Sequence, residues 1–198
     1  MKPTQTLPEN YGLAWSMDLK QNMRLNIILQ VIGLGWMVLS GGLLMLGVLW
    51  LRPDYLKVLQ AGISGNLLTG LLLVVVTMTV AVILHEMVHG LFFWLFARHR
   101  PEFGIGPGYA YAAMPDWYYP RGLYLVVGLA PLVLLTLLGL LVSAFAPIYM
   151  LGWLLVGMVT NSGGAIGDMY ICWRIASEKP AALIKDTGDG FQLYRKGE

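Results

Sequence analysis

Residues 71–90 read LLLVVVTMTVAVILHEMVHG: fourteen uncharged residues run straight into His85-Glu86-Met87-Val88-His89. The surrounding stretch, residues 66–97, carries no other ionisable side chain. It exceeds the roughly 20 apolar residues that a helix needs to cross a bilayer. Ionisable groups are costly to bury in hydrocarbon, so three of them inside a span mark a functional site. On a helix, positions i and i+4 share a face, so both imidazoles can reach one metal ion. Glu86 falls about 100° round the helix, placed to act on a metal-held water rather than to bind the ion.

Composition agrees with a membrane setting. Of 198 residues, 57% are hydrophobic and 12% charged, about half the charged fraction of an ordinary soluble domain. A net charge of +2 is too small to imply a nucleic-acid partner. The single cysteine, Cys172, excludes an internal disulfide framework and a cysteine-based zinc site, and reads as a small apolar residue in a packed helix.

Four apolar stretches have spanning length: residues 25–51, 66–97, 122–146 and 147–173. Residues 1–24 are polar and lack the apolar core and cleavage site of a signal peptide, so the first span is expected to stay in the mature protein. Four spans place both termini on one side. That side, with loop 98–121, holds 11 of the 13 Lys and Arg residues, which predicts cytoplasmic termini in a multi-pass cell-membrane protein. The expected fold is an all-α membrane protein, a bundle of about four transmembrane helices with a cytoplasmic-side loop and a short C-terminal hairpin. Its parts are a polar segment 1–24, a transmembrane domain 25–175 and a cytoplasmic tail 176–198.

No Lys or Arg falls inside a span, and the only Asp, Glu or His residues there are His85, Glu86, His89 and Asp168. A catalytic zinc takes three protein ligands and leaves a position open. Elimination therefore nominates Asp168. Depth agrees, because His89 precedes Arg98 by nine residues and Asp168 precedes Arg174 by six. At about 1.5 Å per residue the two lie within roughly 5 Å in depth. Gly157, Asn161, Gly164 and Asp168 form one face of small and polar groups that lets helices approach closely. On the other reading of this face, Asp168 is an interhelical hydrogen-bond partner.

Elsewhere the signals are weaker. His99, Glu102 and Asp116 read as solvated loop residues. The segment Phe103-Gly104-Ile105-Gly106-Pro107-Gly108-Tyr109-Ala110-Tyr111 alternates small and large residues. It fits a hairpin whose edge binds an extended peptide, and equally an aromatic interfacial turn. Residues 182–185 and 191–195, flanking the turn-rich 186–190, read as a small hairpin with no catalytic role.

His85-Glu86-Met87-Val88-His89-Gly90, with Asn161-Ser162-Gly163-Gly164-Ala165-Ile166-Gly167-Asp168 on a later span, resembles the intramembrane site-2 protease group. More closely it resembles a set of small prokaryotic membrane proteins described as putative zincin peptidases. Gly128-Leu129-Ala130-Pro131 is similar to a Gly-Pro element of the site-2 group. The resemblance implies one zinc ion held by His85, His89 and Asp168, with Glu86 as the base and Asn161 as a substrate-orienting or supporting residue. This chain departs from the site-2 pattern in having Ser162, Gly163 and Gly164 where prolines stand, and Met169 where a glycine follows the aspartate. The function expected is an intramembrane zinc metalloprotease acting on membrane-embedded protein or peptide substrates, Glu86 activating a zinc-bound water. A zinc or divalent-metal transporter and a non-catalytic zinc-binding regulator are the alternatives.

Overall fold

The computed structural model describes residues 1–18, 21–61, 66–106, 109–188 and 190–197. Pro107, Gly108 and Asp189, in the two hairpin turns read from the sequence, lie outside the described residues. Among the described residues, three helices are long and apolar enough to cross a membrane: α1 (Met23–Leu51), α3 (Leu67–Ala97) and α4 (Arg121–Phe145). A short helix α2 (Tyr55–Ala61) follows α1. The starts of α1 and α3 can be read from local chemistry. Asn22 caps α1 by accepting the Leu25 N–H, and Asn66 caps α3 by accepting the Leu68 N–H, satisfying donors that a helix terminus otherwise leaves orphaned. α3 stops at Arg98, which turns into the left-handed region at φ 56°.

The outer sides of these helices are apolar, and a few polar groups are kept inside among apolar neighbours. Leu34, Val38, Leu72 and Leu137 point outward, whereas Ser40, His85, His89 and Asn161 are buried. An apolar exterior, with the few polar groups turned inward, is the arrangement expected where lipid is the solvent.

The last predicted span is broken. A 3-10 turn (Ile148–Met150) leads into α5 (Leu151–Gly164), and α6 (Ile166–Ala176) continues after a bend of 41°. The bend follows Ser162-Gly163-Gly164, residues that do little to hold a helix straight.

The all-α expectation is corrected by six strands in two antiparallel sheets among the described residues. β2 (Glu102–Gly106) and β3 (Tyr109–Ala113) form a two-stranded hairpin in register Glu102↔Ala113. The other sheet has order β1-β6-β5-β4. It joins β1 (Tyr11–Asp18), β4 (Tyr118–Pro120), β5 (Leu183–Asp186) and β6 (Gly190–Lys196). Three short segments distant in sequence thus complete one another's hydrogen bonding. A hairpin alone is marginal, but three or more strands with an apolar face are stable. That face carries Met17, Ile184, Phe191 and Leu193, packed with Phe93, Tyr119, Tyr124 and Ile175.

The four-stranded sheet also sets a parity. β1 precedes α1, β4 precedes α4, and β5 and β6 follow α6, so all three segments lie on one side of any bilayer the helices cross. With α4 as one crossing, the bent α5–α6 pair must then return the chain as another.

Candidate metal centre

α3 presents His85 and His89 one turn apart on its buried face, 5% and 7% exposed. Their rings meet edge to face with centroids 4.9 Å apart. Each ring is fixed by its Nδ1. His85 Nδ1 lies 2.9 Å from Asn161 Oδ1, and His89 Nδ1 lies 3.0 Å from the Val127 carbonyl oxygen. Val127 O can only accept, so His89 Nδ1 donates to it. Asn161 holds its own amide by donating Nδ2 to the Pro131 carbonyl at 3.3 Å, so its Oδ1 faces His85 as an acceptor. Both histidines thereby donate from Nδ1, which leaves the Nε2 of each to face Asp168.

The two Nε2 atoms converge on one atom. Asp168 Oδ2 lies 3.0 Å from His85 Nε2 and 3.3 Å from His89 Nε2. Ligand atoms of the three residues all fall within 4.8 Å of one another. As neutral imidazoles, the two histidines would turn two Nε2 lone pairs toward a carboxylate oxygen, an arrangement that protons on the rings or a metal ion among the three groups relieves. Two imidazole nitrogens and one carboxylate are also a donor set suited to zinc, and the hydrogen bonds behind the imidazoles are the outer support such ligands need. The residues therefore fit a metal ion.

The broken helix makes this convergence possible. Asn161 is near the end of α5, and Asp168 is in the first turn of α6. In a straight helix they would stand about 10 Å apart along the axis, yet they approach the two nitrogens of a single imidazole. The first turn of α6 also places the Asp168 carboxylate at the electropositive end of the helix. α6 is drawn in by Gly128 on α4, where a Cβ would meet Cys172 Sγ at 2.6 Å.

Glu86 stands beside the cluster, with Ala112 of β3 on the same cavity wall. The hairpin reaches α3 because Gly90 has no side chain; a Cβ there would lie 2.4 Å from the Phe103 ring. His85, Glu86, His89 and Asp168 line one cavity of about 160 Å³. A second cavity, about 410 Å³, touches His85 and Glu86 from the side of α1 and includes Asn26 and Gln30. Of the weaker candidates, His99 packs against Trp117, and Glu102 starts β2. Neither lines these cavities, nor does Asp116.

Sequence reading missed two residues of the cavity wall, Tyr124 on α4 and Asp186 on β5. Asp186 shows in the sequence only as a turn residue. Burial pushes its carboxyl up to about 6, opposed by hydrogen bonds from Tyr124 and Gly188. A carboxyl raised on folding contributes stability below its unfolded value of about 4. That contribution is lost as the pH rises through about 6. In metal-free protein, the melting temperature of the wild type relative to Asp186→Asn should therefore fall between pH 4 and 7 and then level off. Thermal melts in detergent across that range check this, and a difference independent of pH would refute it.

Set beside known families, residues 78–183 match a family described as putative zincin peptidase. The match covers more than half of the chain, from within α3 to the start of β5. No curated protein and no solved structure matches the chain.

Proposed function

The chain belongs to this family of putative zincin peptidases, and from that premise we propose that it is an intramembrane zinc metallopeptidase cleaving membrane-embedded protein segments. The observation that carries the proposal is the convergence of His85 Nε2, His89 Nε2 and Asp168 Oδ2 beside Glu86, in one cavity of a helix bundle with an apolar exterior. In this reading those three atoms hold a single zinc ion. When bound, zinc acidifies water and polarises the scissile carbonyl.

The remaining steps belong to the chain's own residues. Glu86 takes the proton of the attacking water and returns it to the leaving amine. Asn161 and the Val127 carbonyl fix both imidazole tautomers, so Asn161 is a supporting residue behind His85. A substrate helix must unwind locally, because its carbonyls are otherwise hydrogen-bonded. Among the described residues β3 pairs with β2 alone, so its other edge is suited to an extended strand. In this reading the sheet and both termini face the cytoplasm, an orientation that the basic residues around the sheet favour.

The test is metal dependence in proteoliposomes. A quenched-fluorescent membrane-spanning peptide should be cut by the purified protein, lose cleavage under a zinc chelator and regain it with added zinc. Zinc flux into the vesicles without cleavage would overturn the proposal in favour of a transporter.

A further inference from the structure

The tail hairpin does more than close the cavity. Tyr124 donates its phenol proton to Asp186 Oδ2 at 2.6 Å, and Asp186 Oδ1 accepts the Gly188 N–H at 2.8 Å. The carboxylate is therefore held at both oxygens. Gly188 adopts φ 78°, and a Cβ there would meet the Tyr111 ring at 2.6 Å, so this turn packs tightly against β3. The Tyr124 ring is 4% exposed and packs near Phe93, centroids 6.4 Å apart. Tyr124 and Asp186 both line the cavity that holds His85, Glu86, His89 and Asp168.

A phenol has one proton and two lone pairs. With the proton given to a carboxylate, the Tyr124 oxygen can offer only lone pairs to a ligand. The charged partner polarises the O–H bond and makes that oxygen a stronger acceptor. What such a wall recognises is an N–H donor. An unwound peptide segment has such donors, because its amides have left their helical partners and recur along an extended chain. Resting on the peptidase reading above, we infer that Tyr124 accepts a hydrogen bond from a backbone N–H of the bound substrate, and that Asp186 is the residue that positions it.

The experiment uses full-length, zinc-loaded Glu86→Gln protein, in which turnover does not interfere, and two probes measured by calorimetry. One is N-acetyl-leucyl-leucyl hydroxamate, which chelates zinc and adds backbone N–H groups. The other is its depsipeptide counterpart, with ester oxygens replacing those N–H groups. Adding Tyr124→Phe should weaken the amide probe by about 5- to 10-fold, the loss of one hydrogen bond, and leave the ester probe unweakened. Asp186→Asn should weaken the amide probe less, and should cost nothing further once Tyr124 is Phe.

A merely structural role would weaken both probes alike. If Tyr124→Phe does not fold, the amide-to-ester difference in Asp186→Asn decides the same question. Unchanged amide binding in these variants overturns the inference and leaves the zinc site standing. If the zinc-loaded parent binds neither probe, the peptidase reading itself falls, and this inference falls with it.

Discussion

Glu86→Gln should reduce peptide cleavage by about 10²- to 10⁴-fold, the usual share of a general base, with zinc content and affinity unchanged. Gln keeps the length and shape of Glu, so the cavity wall it shares with Ala112 of β3 has no reason to move. What it lacks is a basic lone pair for the proton of the attacking water. His85 and His89 are fixed through Nδ1 by Asn161 and Val127, groups that do not involve Glu86. Cleavage rate and zinc stoichiometry measured on one preparation are sufficient. A variant that still cleaves at the wild-type rate removes Glu86 as the base, and one that loses zinc makes it a ligand instead.

The second large effect is expected at Asp168. Alanine there should weaken zinc binding by more than about 100-fold, beyond what the loss of an outer supporting group costs. Its Oδ2 is the atom on which both Nε2 atoms converge. Without it, two neutral imidazoles remain, and the charge that offsets a divalent cation is gone. Competition with a fluorescent zinc chelator gives the affinity directly. Unchanged affinity would leave Asp168 as a hydrogen-bond partner of the histidines and return the third ligand position to an unknown group.

The parts of the molecule that were legible in the sequence are those written in local pattern. Residues 66–97 announce a spanning helix through an unbroken apolar run, and His85 and His89 share a face by spacing alone. Asp168 could be picked out because an ionisable residue inside a span is rare enough to count. The four-stranded sheet was not legible. β4 has three residues, and β1 lies more than 170 residues from its partner β6 in the pairing Tyr11↔Lys196. No local periodicity encodes that distance. The break after Gly164 was also misread, since Gly163 and Gly164 serve equally well as packing residues in an intact helix.

Tyr124 and Asp186 illustrate the same limit at the site. One is an aromatic near the start of an apolar span, the other an acidic residue beside a glycine turn, and each has an ordinary local explanation. Their meaning lies in a 2.6 Å contact across 62 positions of chain, which only the folded arrangement supplies.

The pairing of β1 with β6 has a consequence for assembly. Synthesis delivers β1 first, but its partner strand is not complete until residue 196 has been made. By then α1, α3 and α4 have all been produced. Closing so long a loop is slow compared with forming helices, so β1 must wait, without β6, until the helices between them have been made. The wall that Asp186 contributes to the cavity belongs to the same late event. A nascent chain can thus carry His85, His89 and Asp168 in the membrane while its chamber is still open on the sheet side. The cavity would then close only after the helices that carry His85, His89 and Asp168 have been made.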